Sequence, residues 1–139
     1  SDRFMRGEIE KYLATKPPVK ALAIGKDLEI LEWTVDLKGT MFKFKLKGDD
    51  EVNIDTPRFV LPEEYGETLG SAVLLGKELG LSSEQISYSL VRNFELPLGR
   101  STIFEGINDS VIIDSSYNAS GVSVMASLKL LQRLKQASK

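Results

Sequence analysis

The sequence contains no cysteine and no histidine. It can therefore form no disulfide, no thiolate nucleophile and no zinc finger, and it has no imidazole to act as a general base. The absence of cysteine is consistent with a reducing compartment. No apolar run approaches the length of about 18 residues that a membrane span requires. We therefore expect a cytoplasmic protein with no membrane partner and no metal site, and we assign no catalytic residue.

The sequence also lacks a strong charge of one sign. Its 18 basic and 20 acidic side chains give a formal net charge of −2, so we expect no nucleic-acid partner. The 139 residues, with 42% hydrophobic and 27% charged content, are enough for one globular domain or for pieces of two. The chain begins at Ser1 rather than at an initiator Met, in a charged segment unlike a secretory signal. We therefore expect an excised or processed piece of a longer chain.

The first half of the sequence predicts a helix followed by a small antiparallel sheet. Residues 3–14 have helical apolar spacing, and the short apolar run 19–25 is typical of a strand. Residues 29–47 alternate with period two, which predicts a β-hairpin with its turn in 37–41, and residues 52–56 add a third strand. The residues expected to be buried on the two hairpin strands are Leu31, Trp33, Val35 and Leu37, then Phe42, Phe44 and Leu46. Opposite the second group lies a row of lysines that we interpret as a solvated face.

The second half predicts three helices and two short strands. Residues 63–79 form the first helix, ended by Gly80, and Ser82 with Gln85 forms a capping box that begins the second. Segments 101–106 and 110–114 resemble two strands joined by a turn, the second of them buried. A last helix covers about residues 122–136. Its expected buried residues are Val124, Leu128, Leu131 and Leu134.

A cluster of small polar residues, 114–120, separates the last predicted strand from the last helix. A helix N-terminus next to a strand end can hold an anionic ligand. In that interpretation Asp114 accepts from a ribose, Tyr117 stacks on a base, Asn118 contacts a polar edge and Arg100 reaches a phosphate. Ser, Asn and Asp are equally typical of helix caps and tight turns, so capping alone also explains the cluster.

A resemblance to a known family favours the ligand site. Residues 96–134, LPLGRSTIFEGINDSVIIDSSYNASGVSVMASLKLLQRL, resemble the junction between the central and C-terminal domains of Mur ligases, above all the D-alanyl-D-alanine-adding branch. There a Gly-Arg pair precedes an Asp-Asp-Ser-Tyr-Asn-Ala-Asn-Pro-like motif and a helix. Residues 59–94 are similar to the helical pair that closes the central domain.

The resemblance implies an α/β fold in two parts. Residues 1–98 correspond to the latter part of the ATP-binding central domain, an antiparallel hairpin layer with two helices, and 99–139 to the first strand and helix of the C-terminal domain. The implied parent is an ATP- and magnesium-dependent amide-bond-forming ligase that acts on a UDP-sugar-peptide precursor of peptidoglycan. Nucleotide-binding roles carried over by position fall on Arg100, Asp114, Tyr117 and Asn118.

Departures from the family pattern define the alternatives. The chain has no Gly-x-x-Gly-Lys-Thr/Ser phosphate loop, so we expect the isolated chain to be inactive and to need no cofactor. Glu64, Tyr65 and Thr68 stand where the family has His-Asn-x-x-Asn, and Ser115 replaces an Asp that contacts ribose. The main alternative is a non-catalytic domain that keeps the fold and binds a ligand or a protein. A weaker one is another amide ligase of the superfamily, of the folylpolyglutamate or cyanophycin type.

Overall fold

A computed structural model describes residues 22–48, 50–57 and 59–137, together with residues 7, 10, 11, 14 and 15. The strands and helices of the continuous part are β1 (Leu28–Asp36), β2 (Gly39–Leu46), β3 (Glu51–Thr56), α1 (Tyr65–Glu78), α2 (Ser83–Asn93), β4 (Thr102–Glu105), β5 (Val111–Asp114) and α3 (Gly121–Ala137). A 3₁₀ turn, Ile107–Asp109, links β4 to β5. None of the described helices is long and apolar enough to cross a membrane.

The hairpin and the third strand are confirmed as one antiparallel sheet in the order β1-β2-β3. Alternation along β2 buries Phe42, Phe44 and Leu46 on the face toward the helices. On the other face Lys43 forms a 2.7 Å salt bridge with Glu51 of β3. The sheet therefore has the two unlike faces that its period-two pattern predicts.

A β-bulge corrects the predicted face of β1. Ile30 pairs with Phe44, whereas Glu32 pairs with Lys43, so Leu31 is an extra residue without a partner on β2. An extra residue reverses the alternation beyond it. Leu28 is therefore buried before the bulge and Val35 after it. Leu31 and Leu37, which were expected to be buried, are 43% and 49% exposed. Trp33, expected to be largely buried, is only partly so.

The helices α1 and α2 cover one face of the sheet. Leu69 and Val73 of α1 and Ile86 of α2 are buried there, as predicted, in one cluster with Phe42 and Phe44. The two helices approach closely at Gly76, where an added Cβ would lie 2.8 Å from Cγ1 of Ile86. The predicted stop and start signals are both confirmed: Gly80 has a φ of +80° after α1, and the Ser82–Gln85 capping box begins α2.

The carboxyl-terminal elements form a smaller layer. β4 and β5 make a separate two-stranded antiparallel sheet, as the sequence predicts. β5 is not the buried strand that was expected, because among the described residues it pairs with β4 alone, and Ile112 is 54% exposed. Only one residue of each strand, Ile103 and Ile113, packs against the cluster that α3 forms with the first sheet.

Helix α3 packs through a different face from the one predicted. Its buried side chains are Ala126, Leu130 and Leu134, which follow one another at four-residue spacing. Leu130 and Leu134 contact Val35 and Val60 of the first part of the chain. Val124, Leu128 and Leu131 are about half exposed, so the prediction holds only for Leu134. The helix carries two adjacent apolar stripes, and periodicity alone could not choose between them.

Two N-terminal predictions fall largely outside the described residues. Phe4, Ile9, Tyr12 and Leu13 of the expected helix 3–14 are among these undescribed positions, although residues 7, 10, 11 and 14 are helical. Of the expected strand 19–25, the described residues contain only an isolated bridge between Ile24 and Leu28.

The corrected orientation of α3 can be tested with two neighbouring leucines. Leu130 is 1% exposed and Leu131 is 48% exposed. We expect Leu130→Ala to lower the free energy of unfolding by about 2–5 kcal/mol, because it leaves a cavity between α3 and the sheet. Leu131→Ala should cost less than about 1 kcal/mol. Urea unfolding followed by circular dichroism measures both, and equal losses would contradict the observed packing.

Candidate functional site

Three separate segments of the chain enclose a cavity of about 260 Å³. One wall is the approach to α1, with Pro62, Glu64 and Tyr65. The second is the turn 99–101, and the third is the loop from Ser115 to Ser120 with the first two turns of α3. The lining residues therefore come from both sides of the division predicted between residues 98 and 99.

The turn that carries Arg100 has a strained backbone. Gly99 and Ser101 on either side of it have positive φ angles of +78° and +53°, and Ser101 is only 4% exposed. Left-handed backbone is unfavourable for a residue with a Cβ, so packing must hold Ser101 in place. At Gly99 a side chain would in addition be crowded, because an added Cβ would lie 3.1 Å from the backbone nitrogen of Tyr117.

The same turn is joined directly to the polar loop. The backbone N–H of Tyr117 donates to the carbonyl oxygen of Gly99 over 3.1 Å. The guanidinium carbon of Arg100 lies 4.6 Å from the centre of the Tyr117 ring, which is cation–π geometry. Two residues from the predicted set are thus in contact, and both line the cavity.

Asn118 lines the same cavity, but Asp114 does not. No hydrogen bond links the Asn118 amide to another described residue; its backbone carbonyl accepts a 3.3 Å bond from the Ser123 hydroxyl. Asp114 instead accepts a 2.9 Å bond from the backbone N–H of Ser116. Hydrogen bonds from the Ser116 side chain and backbone hold the pKa of Asp114 below its ordinary value. The structure thus brings three of the four predicted site residues to the cavity.

Helix α3 begins with a reciprocal cap. The N–H of Ser123 donates to the Ser120 hydroxyl over 3.2 Å, and the N–H of Ser120 donates to the Ser123 hydroxyl over 2.8 Å. This arrangement resembles a capping box in which serine replaces the usual glutamate. The capping interpretation therefore describes Ser120, whereas Ser116 serves the turn around Asp114.

Sequence reasoning missed the contribution of α3 to the cavity. The lining residues that it did not single out are Val122, Ser123, Ala126 and Ser127. Ser123 and Ser127 are four residues apart and therefore face the same side of the helix, which is a usable signal once the helix is predicted. The orientation of α3 that buries Ala126 also places Ser123 and Ser127 beside the cavity.

A wider groove of about 620 Å³ lies between β3 and α2. Tyr88 and Arg92 line it and also contact each other, since Arg92 donates a 2.6 Å hydrogen bond to the Tyr88 hydroxyl. The groove is away from the residues of the sequence motif. Its Arg–Tyr pair provides a matched control for the pair in the cavity.

Comparison with known proteins gives matches at the level of structure alone. Neither a protein-family model nor a curated protein sequence matches the chain. Two solved structures from Acinetobacter baumannii each match 96% of this chain at 21% sequence identity. One is of UDP-N-acetylmuramoylalanyl-D-glutamyl-2,6-diaminopimelate–D-alanyl-D-alanyl ligase, with a TM-score of 0.73, and the other, of MurF, has a TM-score of 0.71. MurF ligase from Thermotoga maritima, solved in complex with ADP, matches 77% at 18% identity and a TM-score of 0.61.

The chain has a Mur-ligase-like fold. This confirms the α/β class and the family resemblance as a statement about the fold. The chain spans only 24–28% of the length of these proteins, so it corresponds to one part of a Mur-ligase-like fold.

Capping and ligand contact can be separated by mutation. We expect Ser120→Ala to lower the free energy of unfolding by about 0.5–2 kcal/mol, because it removes the acceptor for the first turn of α3. Asn118→Ala should change it by less than about 0.5 kcal/mol, because no hydrogen bond of the amide to a described residue is lost. Urea unfolding of both variants decides the point. A loss at Asn118 as large as that at Ser120 would show that Asn118 also holds the loop.

The turn around Asp114 predicts a specific pH dependence. Its pKa is lowered from 3.8, so the ionised carboxylate favours the folded state above that value. This contribution is lost as the pH falls through the lower folded pKa. Ser116→Ala should raise the pKa of Asp114 toward 3.8, because the side-chain hydrogen bond is the larger cause of the shift.

Carbon-13 NMR of the carboxyl groups measures this pKa directly. Glu84 is the internal control, since its pKa is also lowered, by its backbone hydrogen bond and by Ser82 at the start of α2. Ser116→Ala should leave Glu84 unchanged. An unchanged Asp114 pKa would show that the Ser116 hydroxyl does not bond the carboxylate in solution.

Proposed function

We propose that the chain is part of an ATP-dependent amide-bond-forming ligase of the Mur type, which builds a peptidoglycan precursor in the cytoplasm. The observation that carries this proposal is the convergence of Arg100, Tyr117 and Asn118 on one cavity between residues 1–98 and 99–139. These are the positions to which the sequence motif assigns the nucleotide. The Mur-ligase-like fold supports it, and one protein of that fold was solved with ADP.

The side chains of the cavity suit different parts of a nucleotide. The guanidinium of Arg100 can pair with phosphate oxygens, and the Tyr117 ring offers a face to an aromatic base. The Asn118 amide can both donate to and accept from a polar edge of the base or sugar. Asp114 has an indirect role in this proposal: its hydrogen bond to Ser116 shapes the loop that presents Tyr117 and Asn118.

The size of the cavity matches a portion of ATP. A volume of about 260 Å³ is just below the range of about 300–1,000 Å³ typical of small-molecule sites, which suits a base and sugar whose phosphates extend outward. ATP, when bound, supplies the phosphoryl group that activates a substrate carboxylate for attack by an amine. Within the described residues no three side chains of His, Cys, Asp or Glu are grouped to hold a metal ion, and we assign no step to magnesium.

A second function is favoured by the wall formed at the start of α1. Glu64 and Tyr65 line the cavity where the family pattern has His and Asn. A carboxylate and a phenol do not present the paired donor and acceptor of an amide. A non-catalytic domain that keeps the fold and binds a ligand or a protein through this cavity is therefore the alternative.

Titration of ADP into the nitrogen-15-labelled chain tests the proposal. We expect NMR shifts confined to residues 99–101, 115–120 and the start of α3, with weak affinity in the millimolar range, because the chain lacks a phosphate loop. Arg100→Ala and Tyr117→Ala should each weaken binding at least about fivefold, by the loss of a charge-assisted contact and of a stacking face. Arg92→Ala, in the other Arg–Tyr pair, should have no effect.

Phosphate release from ATP is measured on the same samples. We expect none above a control without protein, since positioning and charge neutralisation supply most of phosphoryl-transfer catalysis. Release that Arg100→Ala abolishes would overturn the expected inactivity of the isolated chain. Equal ADP affinity in wild type, Arg100→Ala and Tyr117→Ala would leave the loop with only its capping role.

A further inference from the structure

Two groups assigned to the nucleotide already contact each other in the free protein. Arg100 lies over the face of the Tyr117 ring, 4.6 Å from its centre. A base can stack on that ring face only after the guanidinium has moved away. The contact uses the flat face of the guanidinium, and a phosphate that accepts from its N–H groups gives Arg100 an alternative partner.

The backbone limits how this pair can separate. The Tyr117 N–H donates to the Gly99 carbonyl, and the two residues pack so closely that a Cβ on Gly99 would lie 3.1 Å from the Tyr117 nitrogen. The base of the Tyr117 side chain is therefore held beside the turn. Arg100 has a longer side chain and is exposed, so it is the partner that can leave.

We propose that Arg100 partly closes the nucleotide site by stacking on Tyr117, and that a ligand with both an aromatic base and a phosphate opens it more readily than a nucleoside does. The inference rests on the proposed function. A base that takes the ring face displaces the guanidinium, and a phosphate on the same ligand gives that guanidinium a new partner. A nucleoside displaces Arg100 without replacing its contact, so the site discriminates against nucleosides.

The expected size of the effect follows from the exposure of the pair. Tyr117 is 63% exposed, and cation–π contacts at exposed sites are weak. Such a contact corresponds to a factor of about two to five in an equilibrium constant. Removing the guanidinium should therefore improve nucleoside binding by about that factor and weaken nucleotide binding.

The test compares adenosine with ADP, titrated by NMR into the whole chain. In Arg100→Ala we expect adenosine to bind about two- to fivefold more tightly and ADP to bind more weakly than in wild type. Arg92→Ala removes a guanidinium from a similar pair outside the cavity and should change neither affinity. In a Tyr117→Leu background, Arg100→Ala should no longer improve adenosine binding, because the ring for which the two compete is gone.

A readout without ligand checks the stack itself. The side-chain protons of Arg100 should be shifted upfield by the Tyr117 ring current in wild type and should lose this shift in Tyr117→Leu. Amide spectra remote from the cavity verify that each variant is folded. Absence of the shift in wild type would overturn the inference.

The titrations separate failure of the inference from failure of the proposed function. If Arg100→Ala weakens adenosine and ADP alike, or leaves adenosine unchanged, Arg100 does not close the site, and the nucleotide site itself survives. If neither ligand binds wild type or any variant, both the nucleotide site and its closure by Arg100 are overturned.

Discussion

One buried hydroxyl connects the sheet, the helices and the cavity. The Thr40 hydroxyl donates to the carbonyl oxygen of Phe59 over 2.8 Å and accepts from the N–H of Leu61 over 2.7 Å. Thr40 is 1% exposed and its bond with Leu61 is buried, so loss of that hydroxyl would remove a buried hydrogen bond from the Leu61 N–H. The segment 59–61 is thereby fixed along β2.

The position of that segment determines the rest of the packing. Leu61 enters the cluster under α1 and α2, and Val60, next to it, enters the cluster with α3. Trp33 supports the same segment, since its indole N–H donates to the Leu61 carbonyl over 3.1 Å. Pro62 and Glu64, which follow at once, form one wall of the cavity. The cavity therefore depends on a polar contact between β2 and the segment 59–61.

Local signals made much of the fold predictable. The hairpin, the Ser82–Gln85 capping box and the left-handed Gly80 each follow from residues close together in the chain. The bulge at Leu31 was not predicted, although the adjacent apolar residues Ile30 and Leu31 interrupt the alternation, because such a pair does not show which of its members is the extra residue. Only the pairing of Ile30 and Glu32 with successive residues of β2 reveals the change of face.

The site was predictable to a similar degree and for the same reason. The motif indicated Arg100, Asp114, Tyr117 and Asn118, and all but Asp114 line the cavity. The wall from Glu64 and Tyr65 depends on long-range packing through Thr40, and the wall from Ser123 and Ser127 depends on which stripe of α3 is buried. Local periodicity predicts neither of these two walls.

The two interpretations of the polar loop describe different side chains of that loop. Asp114, Ser116, Ser120 and Ser123 use their hydrogen-bonding groups within the loop and the start of α3. Their bonds hold the backbone in a fixed path, which leaves Tyr117 and Asn118 directed at the cavity. A loop made only to cap a helix would not need an aromatic ring beside the cavity. It would also not need Gly99, whose close packing against the Tyr117 backbone positions the turn that carries Arg100. Capping is thus the means by which the loop presents its other side chains.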